Sequence, residues 1–156
     1  MIQNIRLRMM KVTDLAAVYA LVQNAIEVSY ADVYPPEAIE FFKNHHSQEN
    51  ILQDIERGYI VMAESNGQLL GTGTIIGTSI RRVFINPEYQ HHGIGKIIAN
   101  KLERKARENG MAKLDLSASL KSCQFWEAMG FVSTGEFALP VANGQKLIFY
   151  EMTKTL

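Results

Sequence analysis

An apolar run, Val83-Phe84-Ile85, meets an Asn86-Pro87 turn and then Gln90-His91-His92-Gly93-Ile94-Gly95-Lys96, which opens a long helical pattern. A chain with this order must end a strand, turn on glycine, and pack a helix carrying Ile97, Ile98 and Leu102 back on the sheet. The turn itself is an anion site by construction. Glycine removes the Cβ atoms that block close approach, and the first N–H groups of the helix have no acceptor of their own. The helix dipole adds partial positive charge and Lys96 a full one.

Spacing separates the ligand classes that use such a turn. A P-loop needs Gly five positions before the Gly-Lys and Ser or Thr after it; Gln90 and Ile97 stand there. A dinucleotide fingerprint needs a third Gly where this chain has Ile98. An ordinary tight turn before a helix is the plain alternative. With its strand, Asn-Pro turn and helix, the pattern Gln-x-x-Gly-x-Gly resembles the pyrophosphate loop of the GNAT superfamily, the acyl-CoA-dependent N-acyltransferases.

A second pattern agrees. Phe125-Trp126-Glu127-Ala128-Met129-Gly130-Phe131 resembles the Phe-Tyr-x-x-x-Gly-Phe that these proteins often carry after the loop. Physically the aromatic pair packs a short helix on the sheet, Gly130 supplies a positive φ, and Phe131 enters the next strand. Asp115-Leu116-Ser117-Ala118-Ser119 and Phe149-Tyr150-Glu151-Met152 resemble pieces of small bacterial and archaeal members.

The remaining chain reads as alternating strands and helices. Ile5 to Met9 alternates as a strand, and Thr13 is expected to cap a helix bearing Leu15, Val18, Leu21, Val22 and Ala25. Pro35-Pro36 starts a short helix from Glu37 to Asn44, and Ser47 caps another running to Arg57. Strands follow at Tyr59–Glu64 and Leu69–Ile76 around Asn66-Gly67, a strong hairpin signal. A strand from Ile80 to Ile85 feeds the loop, and its helix stops at Gly110. Lys113–Ser117 is a strand, Ser122–Met129 a helix, and two strands flank Asn143-Gly144. The resemblance thus covers nearly the whole chain. It implies one α/β domain over residues 1–156, with a mixed, mostly antiparallel sheet of about seven strands and helices on both faces.

Composition narrows the function. Sixteen basic and sixteen acidic residues balance, so no global field recruits nucleic acid. The lone Cys123 excludes an internal disulfide and a multi-cysteine zinc site. No apolar run is long enough to span a membrane, and Met1 to Arg6 lacks the features of a signal peptide. A cytoplasmic protein is the expectation. The four histidines, two adjacent pairs, lack the spacing of a metal site.

The resemblance implies acetyl-CoA as cosubstrate. Backbone groups at Val83, Phe84 and Ile85 would pair with the pantetheine arm, and amides from His91 to Lys96 would hold the pyrophosphate. Gln90, Ser119, Ser122 and Phe125 complete that set. Departures matter as well. The thiolate-protonating Tyr of the family falls on Trp126, an indole with no useful acidity, which leaves Tyr150 as a spare phenol. The carboxylate often found on the strand before the loop is replaced by Arg81 and Arg82. Alternation turns one of these to the cleft and one to solvent. Either both are solvated strand charges, or one grips an acidic group on the substrate through its fork. Tyr30, Tyr34, Phe41, Phe42, His45 and His46 cluster where substrate selection is expected. They wall a pocket or close the core, and His45 or His46 is the base nearest neutral pH.

Two functions remain. One is an N-acetyltransferase acting on a primary amine of a small molecule or peptide by direct attack. The other is a non-catalytic module of the same fold that senses acyl-CoA. The resemblance implies that a homodimer is one available assembly, for which the terminal strands could serve, and leaves the oligomeric state open.

Overall fold

The computed structural model describes Ile2 and residues 4–156; Met1 and Gln3, part of the amino-terminal segment read above, lie outside the described residues. The elements are β1 (Arg6–Met9), α1 (Leu15–Ser29), α2 (Pro36–His45), α3 (Gln48–Arg57), β2 (Tyr59–Ser65), β3 (Gln68–Ile76) and β4 (Ser79–Ile85). They continue with α4 (Ile94–Glu108), β5 (Lys113–Ser119), α5 (Cys123–Ala128), β6 (Val132–Pro140) and β7 (Lys146–Thr155). One sheet in the order β1-β2-β3-β4-β5-β7-β6 holds all seven strands. Every neighbouring pair is antiparallel except β4 and β5.

Both faces of the sheet are covered. The run Ile60-Val61-Met62-Ala63 in β2 is buried throughout because successive side chains enter opposite cores. Val61 and Ala63 join Ile94, Ile98 and Leu102 of α4. Ile60 and Met62 join Val22 and Ile26 of α1 and Ile51 of α3. The central helix therefore buries Ile94, Ile98, Ala99, Leu102 and Ala106. Ile97, assigned to that face from its spacing, is instead 36% exposed.

Local signals act largely as their chemistry dictates. Asn66 and Gly67 take φ of 52° and 78°, the left-handed pair of a tight hairpin. The Ser47 hydroxyl accepts the Asn50 N–H at 3.2 Å and caps α3, a contact worth about 1 kcal/mol. Thr13 does not cap α1. It lies in a 3-10 turn, Val12–Asp14, where the Asp14 carboxylate accepts the Lys11 N–H at 2.9 Å. Arg8 explains the substitution. Its guanidinium grips Asp14 and Glu64, tying the turn to β1 and β2 and holding the Asp14 carboxyl down at about 2.

The strand β4 carries the irregularity that matters for function. Thr72 pairs with Phe84 but Thr74 with Arg81, so Gly73 of β3 faces two residues, Arg82 and Val83. Arg82 takes the left-handed φ of 57° at this bulge. The parity of the strand flips there. Ile80 lies in the α4-side core, yet Phe84, four residues on, lies in the opposite one.

Candidate functional site

Parallel pairing of β4 and β5 ends almost where it starts. Ser79 pairs with Asp115, whose N–H donates to the Thr78 carbonyl at 2.9 Å. The Asp115 carboxylate accepts both the Thr78 hydroxyl, at 2.6 Å, and the Ser79 hydroxyl, at 2.5 Å. These contacts close the vertex. Beyond it the two strands part, and the β5-facing backbone of β4 past Ser79 has no strand partner. The wedge between them holds a cavity of about 460 Å³. Val83 and Phe84 line it from β4, Leu116, Ser117 and Ser119 from β5, and Trp126 from α5.

The loop after β4 is organised by local bonds. The Asn86 side chain accepts the Glu88 N–H at 3.0 Å, shaping the turn through Pro87–Tyr89. Gln90 donates its side-chain amide to the Ser29 hydroxyl at 3.0 Å, which anchors the loop to the end of α1. His91 and Gly93 take φ of 65° and 81°. The first bond of α4 runs from the Ile97 N–H to the Gly93 carbonyl, so the N–H groups of Ile94, Gly95 and Lys96 have no intrahelical acceptor. No side chain caps this end. A Cβ on Gly93 would meet nothing within 4 Å, whereas one on Gly95 would stand 3.2 Å from the Phe125 ring. Phe125 thus braces the loop, and the rings of His91 and His92 are exposed, as is Lys96. Loop, free amides and cation fit an anionic diphosphate.

The other expected residues divide. Ser119 and Ser122 bond to each other at 3.0 Å, and both line the cleft. Trp126 is buried edge-on against Phe125 and Phe131. Tyr150 is not among the lining residues. Its phenol donates to Glu136 at 3.0 Å, which pushes its ionisation upward. Tyr34 also lies outside the lining. Its phenol donates to the Ile148 carbonyl at 2.6 Å and accepts the Leu120 N–H at 2.9 Å, so it staples the α1–α2 connection to the sheet. Tyr30 does line the cleft. Burial pushes its phenol up to about 12, against the opposing bond with Ser119.

Sequence comparison identifies the matching family. The acetyltransferase (GNAT) domain matches residues 30–156. The chain belongs to this family. Spermidine N(1)-acetyltransferase of Thermoplasma acidophilum is 26% identical over 129 residues, 72% of this chain and 77% of that protein. Among solved structures, a GCN5-related N-acetyltransferase from Rhodopseudomonas palustris superposes with a TM-score of 0.90 at 23% identity, covering 100% of this chain and 98% of that one. The PaiA N-acetyltransferase of Thermoplasma acidophilum, solved with coenzyme A, gives 0.75 at 22% identity over 99% and 100%. This protein is accordingly a GNAT N-acetyltransferase.

The end of this cleft beside α2 and α3 departs from simple strand alternation. Arg81 and Arg82 both line the cleft, where alternation predicted one, and Arg82 is buried in its wall. The bulge turns its side chain, 4% exposed, into an ion pair with Asp54 of α3 and places its Nη1 2.9 Å from His46 Nδ1. Arg81 is the exposed one, at the cleft, with no hydrogen bond or ion pair among the described residues. His46 is buried against Phe84, and burial with the nearby Arg82 holds its proton affinity well below the ordinary value. His45, stacked on Phe41, is lowered by burial and then by the two arginines.

Asp54 was not singled out by the sequence, although one signal was present. It sits three residues after Ile51 and one before Ile55, inside the apolar stripe of α3. A carboxylate in such a stripe needs a buried cation. Asp115 likewise matched a family pattern without its role as the vertex clasp being legible. No group of three or more metal-ligating side chains occurs among the described residues, and no described helix is long and apolar enough to cross a membrane.

Proposed function

We propose that the protein transfers the acetyl group of acetyl-CoA to a primary amine of a small molecule or peptide by direct attack. The observation that carries this reading is the β4–β5 wedge, opened past a single pairing, with β4 leading through the Gln90–Gly93 loop to the uncapped start of α4. The amides of Ile94, Gly95 and Lys96, with the loop from Gln90 and the Lys96 ammonium, would hold the diphosphate. The open backbone edge at Val83, Phe84 and Ile85 would pair with the pantetheine arm as a missing strand would. Bound there, acetyl-CoA supplies an activated thioester. Transfer forms an amide C–N bond, breaks the C–S bond, and moves one proton from the amine to the departing sulfur.

The chain's own contribution is alignment, exclusion of water and proton handling. Apolar walls from Phe84, Leu116, Trp126 and Phe149 keep the reacting carbonyl dry. Trp126 carries no transferable proton. Tyr30, protonated far above neutral pH and within the lining, is the phenol on hand, and Ser119 and Ser122 offer hydroxyls beside it. The His45 ring, its proton affinity lowered by burial and the two arginines, makes no hydrogen bond among the described residues, so it can accept the ammonium proton through water.

Calorimetric titration of acetyl-CoA, followed by thiol-release assays on amines, tests the reading. Binding without turnover of any amine would support the sensing module instead. Self-association through the exposed β6 edge, where Val132 and Phe137 are 66% and 49% exposed, would complete the assembly. Sedimentation velocity would measure it.

A further inference from the structure

The acceptor end of the cleft is rich in hydrogen-bond donors and poor in acceptors. Three facts establish this. First, the Arg82 guanidinium can only donate, so the His46 Nδ1 facing it must accept. His46 is thereby fixed as the neutral tautomer with its proton on Nε2. Second, Arg82 Nε is the sole buried side-chain nitrogen or oxygen without a partner among the described residues. His46 Nε2 also has no hydrogen-bond partner among the described residues, and His46 lines the cleft. Third, Arg81 stands at the same cleft with a guanidinium that no described residue engages. It lies near enough to lower the proton affinity of both His45 and His46.

Against these donors the lining offers one carboxylate, Asp115, and both its oxygens are taken by Thr78 and Ser79 at the vertex. A polycationic acceptor needs free carboxylates spaced along its length. This cleft gives it none and confronts it with Arg81. Phe41, Phe42, Leu139 and Phe149 wall the remainder with apolar surface.

From this we infer that the acceptor is an amine that also carries a carboxylate, an amino-acid-like compound, whose carboxylate is held by the Arg81 fork and the fixed His46 Nε2–H. The inference rests on the acetyl-transfer reading above. Asp54 and Arg82 are positioning residues in this scheme, since they act by holding the His46 tautomer. A charge-assisted pair of this kind contributes at least tenfold to recognition.

The test is initial-rate thiol release from acetyl-CoA with the full chain and three acceptor sets: free α-amino acids, the same compounds as carboxamides, and spermidine. The expected result is a kcat/KM for the best acid at least tenfold above both its amide and spermidine. Arg81→Ala, an exposed change that leaves the core untouched, should shrink the acid-to-amide ratio about tenfold, and Arg81→Lys should restore part of it. Equal use of acid and amide, or preference for spermidine, overturns the inference and leaves acetyl transfer standing. So does turnover of the amides or spermidine with none of any acid. Failure of acetyl-CoA to bind at all overturns the acetyl-transfer reading and this inference together.

Discussion

The loop after β4 and the cleft between β4 and β5 form two ends of the site built from different materials. The loop end is contiguous in sequence and offers backbone: Gln90 to Lys96 supply free amides, left-handed φ values and one exposed cation. The cleft end is assembled from the C-cap of α2, α3, β4 and β7, and offers side chains: His46, Asp54, Arg82 and Phe149 come from across about a hundred residues of chain. Backbone recognition needs only permissive residues in order, so many sequences can bind the same diphosphate. Side-chain recognition needs each partner in place. On the proposed reading the first end takes an invariant cosubstrate and the second a chosen acceptor.

The largest expected effect breaks the second end. Asp54→Ala leaves the Arg82 guanidinium buried with no counter-charge. Loss of one member of a buried pair costs about 3–5 kcal/mol, a large share of the stability of a domain this size. Urea unfolding would measure it. A loss under about 1 kcal/mol would mean that Arg82 escapes to solvent, and the His46 tautomer would lose its support.

Next in size, Gly93→Glu with Gly95→Glu places two carboxylates where the diphosphate is expected. The first must hold φ near 81° with a side chain, and the second drives its Cβ against Phe125. Acetyl-CoA affinity should fall at least a hundredfold, about 2.7 kcal/mol, by calorimetry. Retained affinity with an unchanged melting temperature would remove the loop from the site.

That contrast also explains what the sequence could tell. Hairpin glycines, the Ser47 cap, the period of α4 and the Gln-x-x-Gly-x-Gly turn are local chemistry, and each is visible within a few residues. Arg82 is not local. Its direction follows from a bulge opposite Gly73, which inverts the parity of β4, and from an Asp in α3 that no strand pattern mentions. Thr13 failed as a cap for the same reason, because Arg8 of β1 recruits Asp14 from outside the helix. Tyr34 stayed open between pocket wall and core closure because aromatic composition does not say where a phenol points. It is satisfied on both sides by Ile148 and Leu120.

Tyr34→Phe sharpens that last point. It removes an acceptor for the Leu120 N–H and a donor for the Ile148 carbonyl, at a cost of about 2 kcal/mol. Thermal melting should drop by several degrees, while the acid-to-amide preference among acceptors should hold. A changed preference with unchanged melting would return Tyr34 to the substrate wall.

The smallest expected effect is a dependence on pH that belongs to the acceptor end. His46 is held neutral in the folded chain by burial and by Arg82, with Arg81 and His45 adding to the same effect and Asp54 engaged by Arg82. Unfolded, it takes its proton near 6.5. Its folded value is the lower one, so the unfolded state binds more protons as pH falls, and folding stability declines downward from about 6.5. The slope is at most about 1.4 kcal/mol per pH unit for each such histidine, and His45 adds a weaker share in the same direction. Asp14, held down at about 2 by Arg8, contributes stability that is lost only as pH falls below the ordinary carboxylate range, so it does not disturb the window above pH 5. His46→Asn keeps an acceptor oxygen toward Arg82 but cannot titrate. Urea midpoints from pH 7 to 5 should then fall less steeply than in the parent chain. An unchanged slope would mean that His46 protonates freely when folded, and a protonated ring cannot accept from Arg82.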